Sequence, residues 1–126
     1  MIKEDVIKIF NLKKVETIAL NQFISELKKI NSFRNLVGKS TLLNPWDRHI
    51  CDSLQIMSFI KNKSNSILDM GTGAGFPGIV LSILGYKKIT MIDSRKKKTE
   101  FVKQIIEKLG LKAKIINSRL EDMQLP

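Results

Sequence analysis

The sequence predicts an α/β fold in which a parallel sheet has helices on both faces. After residue 60, short apolar segments with strand character alternate with amphipathic helical segments, and this alternation is typical of parallel sheets. A glycine-rich loop follows the first of these strands. The first 60 residues instead show a helical pattern of apolar residues, which predicts a helical extension ahead of the sheet.

The N-terminal section is predicted to contain two helices. One apolar stripe of three- and four-residue spacing marks the first, and consists of Val15, Ile18, Ala19, Phe23, Leu27 and Ile30. Asn44-Pro45 predicts the start of the second, with Asn as the N-cap and Pro at the first helical position. The second helix would carry Trp46, Ile50, Leu54, Met57 and Ile60 on one face. His49 and Asp52, three residues apart, would be neighbours on its surface.

The polar segment 61–65 predicts a linker, so we expect a helical extension over 1–60 and a sheet domain over 61–126. The predicted elements after the linker are a short buried strand at 66–70, further strands at 88–92 and 113–116, and helices at 76–84 and 95–109. Gly85 and Gly110 follow the two helices and would cap their C-terminal ends.

The positive charge of the chain is concentrated in its second half. Residues 86–119 contain eleven Lys and Arg against three acids, a net of +8 within a total of +10. A one-sided basic field favours a nucleic-acid partner, because neutralised phosphates release counterions. Codon bias in an AT-rich genome is the alternative source of many lysines. The run Arg95–Lys98 opens a helix, where the macrodipole disfavours cations, and this indicates either an anionic partner or solvated charges.

The cysteine content and the apolar pattern exclude several classes of protein. The single cysteine, Cys51, can neither form an internal disulfide nor supply a thiolate cluster for a metal. The chain shows no secretory signal pattern and no apolar stretch near the roughly 20 residues of a membrane-spanning helix. We therefore expect a cytoplasmic protein without membrane or metal; the sequence does not define its oligomeric state.

The glycine loop runs from Asp69 to Gly78, with the sequence DMGTGAGFPG. Gly73–Gly78 fits the dinucleotide fingerprint G-x-G-x-x-G, with Asp93 twenty residues later as the acid for the ribose. Shifted by two residues, the segment Asp69–Gly75 resembles motif I of the class I S-adenosylmethionine methyltransferases. Asp69 favours the second interpretation, because a carboxylate suits a cationic amino or sulfonium group and suits a pyrophosphate badly. A purely structural turn is the third possibility.

The resemblance extends to four motifs in order, covering roughly residues 15–123. The segment ILDMGTGAGFPGI at 67–79 closely resembles the small-subunit (16S) ribosomal RNA guanine-N7 methyltransferases, the RsmG/GidB (glucose-inhibited division protein B) family. Arg48–Leu54 is similar to that family's R-H-x-x-D-S-L segment. Ile92–Ser94 with Lys96-Lys97, and then Ser118–Glu121, are similar to its next two signatures.

The resemblance implies a Rossmann-like class I methyltransferase fold that binds S-adenosyl-L-methionine. It implies that Gly71 and Phe76 contact the cofactor through the loop and that Asp93 binds the ribose hydroxyls. Leu120 and Glu121 would frame the adenine; without the family, they would be interpreted as an ordinary loop after a strand. The segment with Arg48, His49 and Asp52 either forms a surface His–Asp pair between helices or lies near the RNA or the methyl-transfer pocket.

The implied function is methylation of guanine N7 in small-subunit ribosomal RNA. Guanine N7 has a free lone pair and no proton, so the transfer needs positioning and exclusion of water but no general base. We therefore assign no catalytic residue. The alternatives are a non-catalytic RNA-binding remnant and a dinucleotide-dependent oxidoreductase.

The family's fold needs more strands than the three in this chain. Residues 61–126 would then be the first half of the S-adenosylmethionine-binding domain. The helical extension should cover one face of the sheet, which leaves the opposite face and the edge of the last strand open. An unpaired edge is an aggregation liability.

Overall fold

A computed structural model describes residues 1–123 of the chain. The helices are α1 (Lys3–Ile9), α2 (Lys14–Asn31), α3 (Asp52–Gln55), α4 (Gly78–Ile83) and α5 (Lys96–Leu109). The strands are β1 (Ser66–Met70), β2 (Lys88–Asp93) and β3 (Ala113–Asn117). A π-helical segment, Trp46–Cys51, runs directly into α3. Short 3₁₀ turns occupy Lys39–Leu42, Ile56–Ser58 and Leu120–Asp122.

The three strands form one parallel sheet in the order β1-β2-β3. Helix α4 connects β1 to β2 and helix α5 connects β2 to β3, so the predicted α/β class is confirmed. Gly85 and Gly110 have φ values of +98° and +62° at the ends of these helices, a conformation in which glycine carries no Cβ penalty. Both predicted caps are therefore present.

The helices that contact the sheet lie against one of its faces. Ile67, Met91 and Ile115 alternate along the strands on this face and belong to the apolar core. On the other face of β1, Leu68 is 43% exposed and Met70 is 55% exposed. The prediction that 66–70 is a buried strand is wrong for this face, because no described helix covers it. Within residues 1–123, β1 and β3 each pair only with β2, so two sheet edges are unpaired instead of the one expected.

Helix α2 is present as predicted, but its buried face is shifted. Leu20, Phe23, Ile24 and Leu27 are buried, whereas Val15 and Ile18, at the start of the predicted stripe, are exposed. The reason is that the core contacts α2 only along its later turns. There the ring of Phe23 packs against the rings of Phe76 and Phe101, at centroid distances of 5.0 and 6.2 Å.

The second predicted helix is divided into three short pieces. Helical hydrogen bonding begins at the Asn44 carbonyl, which accepts from the Arg48 N–H at 3.0 Å. The prediction of Asn44 as the N-cap is wrong: Pro45 occupies the N-cap position and no side chain caps the segment, while the Asn44 amide donates to the Met1 carbonyl at 3.2 Å. Trp46, Ile50 and Leu54 are buried as predicted, and Met57 and Ile60 are half-buried beyond the end of α3.

The linker at 61–65 is fastened to the sheet section. The Lys63 ammonium donates to the Leu84 carbonyl at 2.7 Å, and the Tyr86 hydroxyl donates to the Ile60 carbonyl. One apolar core extends from Val6 in α1 to Ile105 in α5. The domain boundary at residue 60 stays a prediction. No helix within residues 1–123 is long and apolar enough to cross a membrane.

Candidate functional site

The glycine loop lies across the carboxyl ends of β1 and β2. The N–H groups of Gly71 and Thr72 both donate to the Ile92 carbonyl at the end of β2, at 2.8 and 3.0 Å. Gly71, Gly73 and Gly75 have φ values of +72°, +62° and +105°. Only glycine adopts such values without strain. The loop is therefore built at the edge of a parallel sheet where α/β proteins bind their ligands.

Asp69 holds this loop onto the start of α4. Its Oδ2 accepts hydrogen bonds from the Thr72 hydroxyl at 2.6 Å and from the Gly78 N–H at 2.9 Å. Burial raises the pKa of the Asp69 carboxyl. A Cβ at Gly78 would collide with the Met91 sulfur, so glycine is required where α4 approaches β2. This oxygen is therefore turned into the loop, and the expectation that the Asp69 carboxylate faces a cationic ligand group stays a prediction.

A cavity of about 400 Å³ lies beside the loop. Its lining is formed by the end of β2 and by residues that follow each of the three strands: Gly71, Ile92, Asp93, Ser94, Arg95, Ser118, Arg119, Leu120 and Glu121. Four of the five residues predicted to bind the cofactor therefore meet at one place. A Cβ built on Gly71 meets no atom within 4 Å. The volume lies in the range of small-molecule sites.

Phe76, the fifth predicted residue, is placed elsewhere. Its ring stacks on the imidazole of His49, with centroids 4.5 Å apart and an interplanar angle of 16°. Its other neighbour is the ring of Phe23. The side chain thus joins the loop to the helical section and does not line the cavity. A backbone contact of Phe76 with a cofactor stays a prediction.

His49 is bonded to Thr41 and not to Asp52. The His49 Nε2 lies 2.8 Å from the Thr41 hydroxyl oxygen. Because that hydroxyl donates to the Gly38 carbonyl at 2.6 Å, we assign the proton to Nε2 of a neutral imidazole. Burial, and secondarily the charge of Arg48, lower the pKa of His49. Asp52 is exposed and makes no hydrogen bond to His49, so the predicted His–Asp pair is not formed. No motif in the sequence pointed to Thr41.

Asp93 at the end of β2 is fully hydrogen-bonded within the chain. Its Oδ1 accepts from the backbone N–H and from Nε of Arg95, both at 2.9 Å. Its Oδ2 accepts from the Gly73 N–H at 2.8 Å and from Nη2 of Arg95 at 2.9 Å. The Asp93 side chain is 2% exposed, while that of Arg95 is 56% exposed. The guanidinium, followed by the backbone donors, holds the pKa of the Asp93 carboxyl well below its usual range.

The basic run Arg95–Lys98 is divided by the structure into three environments. Arg95, interpreted from the sequence as a phosphate contact or a solvated charge, has Asp93 as its anionic partner. Lys96 and Lys97 are exposed at the start of α5. Lys98 is half-buried beside the segment 35–39, and burial lowers its pKa. Of the three lysines in the run, only Lys96 and Lys97 are therefore exposed to solvent.

No metal site was found in the described part of the chain. Residues 1–123 contain no group of three or more His, Cys, Asp or Glu that could hold an ion. Cys51 is a free, buried thiol, and burial raises its pKa.

Comparison with known proteins gives a consistent family. The family model described as rRNA small subunit methyltransferase G (GidB) matches residues 16–126. A protein named ribosomal RNA small subunit methyltransferase G from Orientia tsutsugamushi (strain Ikeda) is 40% identical over 116 residues, which are 92% of this chain and 59% of that protein. The protein of the same name from Rickettsia prowazekii (strain Madrid E) is 42% identical over 106 residues, which are 84% of this chain and 56% of that protein. The chain thus spans little more than half the length of these relatives.

Proposed function

Because the chain belongs to the rRNA small subunit methyltransferase G family, we propose that it is part of an enzyme that methylates guanine N7 of small-subunit (16S) ribosomal RNA. The methyl donor would be S-adenosyl-L-methionine, and the enzyme would act in the cytoplasm. The observation that carries the proposal beyond family membership is the cavity at the carboxyl ends of the strands. Asp93 and Gly71 lie together there.

The residues around the cavity are of the kind that the cofactor requires. Asp93 is a carboxylate that can accept hydrogen bonds from two ribose hydroxyls once positions on it are free. Gly71 leaves open space beside the loop, and Leu120 and Glu121, which follow β3, line the same cavity, where they would frame the adenine. When bound, the cofactor supplies the activated methyl group; the chain's own residues hold and orient it.

The hydrogen bonds of the loop argue against the dinucleotide alternative. A pyrophosphate needs free N–H groups and positive potential at the loop and the following helix. Six N–H groups between residues 71 and 78 are already donated within the chain: those of Gly71, Thr72, Gly73, Gly75, Phe76 and Gly78. Two of them are donated to carboxylates, those of Asp93 and Asp69. Because the N–H groups of the loop already bind two carboxylates of the chain, the loop is poorly suited to binding a pyrophosphate as well.

Methyl transfer to guanine N7 requires no acid or base catalysis by a side chain. The N7 lone pair attacks the methyl group directly and no proton has to be removed, so the protein contributes orientation and exclusion of water. Lys96 and Lys97, which are exposed at the start of α5, would contact the phosphate backbone of the RNA. The second candidate is an RNA-binding remnant without activity, which the exposed Lys96 and Lys97 would serve equally well.

A methyl-incorporation assay tests the proposal. Small-subunit RNA would be incubated with labelled S-adenosyl-L-methionine and either the 126-residue chain or a chain extended to the length of its relatives, here called the full-length protein. The labelled nucleotide would be identified by mass spectrometry. We expect 7-methylguanine with the full-length protein, and markedly less label with Asp93→Ala when S-adenosyl-L-methionine is below saturation. RNA binding without incorporation by either protein would favour the remnant.

A further inference from the structure

We propose that Arg95 is a displaceable cap on the ribose-binding carboxylate, so that the cofactor must replace the guanidinium on Asp93 before it can bind. The inference rests on the proposed function and deepens it. It makes Arg95 a residue that sets cofactor affinity although it need not contact the cofactor.

The first support is the number of hydrogen bonds on Asp93. An ionised carboxylate offers about four lone-pair positions, and all four are occupied by Gly73 N and by the backbone N, Nε and Nη2 of Arg95. At 2% exposure, the Asp93 side chain cannot be reached by a ligand atom while the guanidinium stays in place. A ribose that uses this carboxylate must therefore displace a donor already there.

The second support is which donors can leave. Gly73 N belongs to the glycine loop and the backbone N of Arg95 belongs to the turn that opens α5, so both are fixed by the fold. The guanidinium is on a 56% exposed side chain and can rotate into solvent. Its departure frees one position on each oxygen, since Nε is bonded to Oδ1 and Nη2 to Oδ2. Two neighbouring hydroxyls of a ribose need this arrangement of one acceptor position on each oxygen.

The start of α5 does not depend on the guanidinium. The N–H groups of Lys98 and Thr99 donate to the Arg95 carbonyl, and the backbone N–H of Arg95 donates to Asp93. All three bonds use only the main chain of residue 95 and survive replacement of its side chain. A role of the Arg95 side chain limited to capping the helix would therefore leave cofactor affinity unchanged when it is removed.

The test is a calorimetric titration of the full-length protein and its variants with S-adenosyl-L-homocysteine, the demethylated product, which carries no sulfonium charge. Arg95→Leu removes the two guanidinium N–H donors that bind Asp93. Arg95→Lys keeps the positive charge but cannot donate to both carboxylate oxygens in the same way. Lys96→Leu, at the neighbouring exposed position, is the matched control for loss of one positive charge. The second ligand is an analogue of the same compound without the 2′- and 3′-hydroxyls, which has no need of Asp93.

We expect Arg95→Leu to bind S-adenosyl-L-homocysteine about two- to fivefold more tightly than the wild type, as expected when a competing, partly exposed ion pair is removed. Arg95→Lys should be intermediate and Lys96→Leu unchanged. The dihydroxyl-free analogue should bind the wild type and Arg95→Leu equally. Added salt should tighten binding to the wild type and not to Arg95→Leu, because salt weakens the exposed pair.

Two results would overturn the proposal. If Arg95→Leu binds S-adenosyl-L-homocysteine with wild-type or weaker affinity while Asp93→Asn loses binding, the cofactor site stands but Arg95 does not compete for it. If neither the wild type nor Arg95→Leu binds the compound at all, the proposed function fails together with the cap.

Discussion

Asp69 and Asp93 lie at the carboxyl ends of adjacent parallel strands, and the pKa values of their carboxyl groups are displaced in opposite directions. Asp69 is buried below the loop and receives only neutral donors on Oδ2, from Thr72 and Gly78, so burial raises its pKa. Asp93 receives a guanidinium in addition to two backbone N–H groups, and its pKa is lowered. The ionised form therefore contributes to stability at Asp93 and costs stability at Asp69.

This difference predicts the pH dependence of folding. A carboxyl whose pKa is lower in the folded state stabilises fully above its unfolded pKa of about 3.9, and the contribution disappears as the pH falls through the folded value. Asp93→Asn should lower the free energy of unfolding at pH 7 by about 1–3 kcal/mol, the range for hydrogen bonds to a charged group. The larger cost of leaving a buried charge without its partner does not apply, because the Arg95 side chain is exposed and water can hydrate its charge. In urea titrations, the difference from the wild type should shrink below about pH 4.

Asp69→Asn is the matched control for that experiment. Because the folded pKa of Asp69 is raised, its contribution is fully present below the unfolded pKa and is lost as the pH rises through the folded value. The side-chain oxygen of the introduced asparagine can still accept hydrogen bonds from Thr72 and Gly78. We expect a smaller loss than for Asp93→Asn at pH 7, and a difference from the wild type that grows on acidification. Identical pH profiles for the two variants would contradict this account of the site.

Gly71→Ala and Gly110→Ala form a pair that separates backbone strain from ligand contact. Both glycines have positive φ, +72° and +62°, and at both a Cβ meets open space, so both variants should lose about 1 kcal/mol of stability or slightly more. Gly71 lines the cavity. Gly110 caps the C-terminal end of α5, whereas the cavity lies at the N-terminal end of this helix. Only Gly71→Ala should also weaken S-adenosyl-L-homocysteine binding in calorimetry. Equal affinities would show that the ligand does not approach Gly71.

Phe76→Leu tests whether the ring is structural. The ring stacks on His49 and Phe23, and its loss should lower the free energy of unfolding by about 1 kcal/mol, since leucine keeps much of the apolar volume. Cofactor affinity, measured well below the unfolding temperature, should change by less than about twofold, because the ring lies outside the cavity. A large loss of affinity with unchanged stability would place the ring against the ligand instead.

Replacing Lys96 and Lys97 together by Ala tests the RNA surface. If each contacts one phosphate, the slope of log affinity against log salt should fall by about 1.4–1.8 in total, with cofactor affinity unchanged. Lys28 and Lys29, both exposed in the last turn of α2, give a control of equal charge. Their replacement should leave most of the slope in filter-binding measurements. Equal effects of the two double variants would mean that the run is only a solvated surface.

Features that depend on local sequence were predictable. The strands at 66–70, 88–92 and 113–116 are near to those observed, because glycines and apolar runs delimit them, and Gly85 and Gly110 mark the helix ends. The buried face of α2 was not predictable, because Val15 and Phe23 belong to one apolar stripe and only the location of the core decides which is covered. The Arg95–Asp93 pair was missed for a related reason: next to three lysines, the arginine resembles part of a surface charge run. Its fork meets Asp93 only because α5 begins directly at the end of β2.

The most direct test of the central claim is a calorimetric titration of the full-length protein with S-adenosyl-L-methionine, S-adenosyl-L-homocysteine and NAD, repeated with Asp93→Ala. We predict that the first two compounds bind and that NAD does not. Asp93→Ala should weaken the binding of both by about 1–3 kcal/mol through loss of the charge-assisted bonds to the ribose. Tight binding of NAD, or an affinity for S-adenosyl-L-methionine that Asp93→Ala leaves unchanged, would contradict the account.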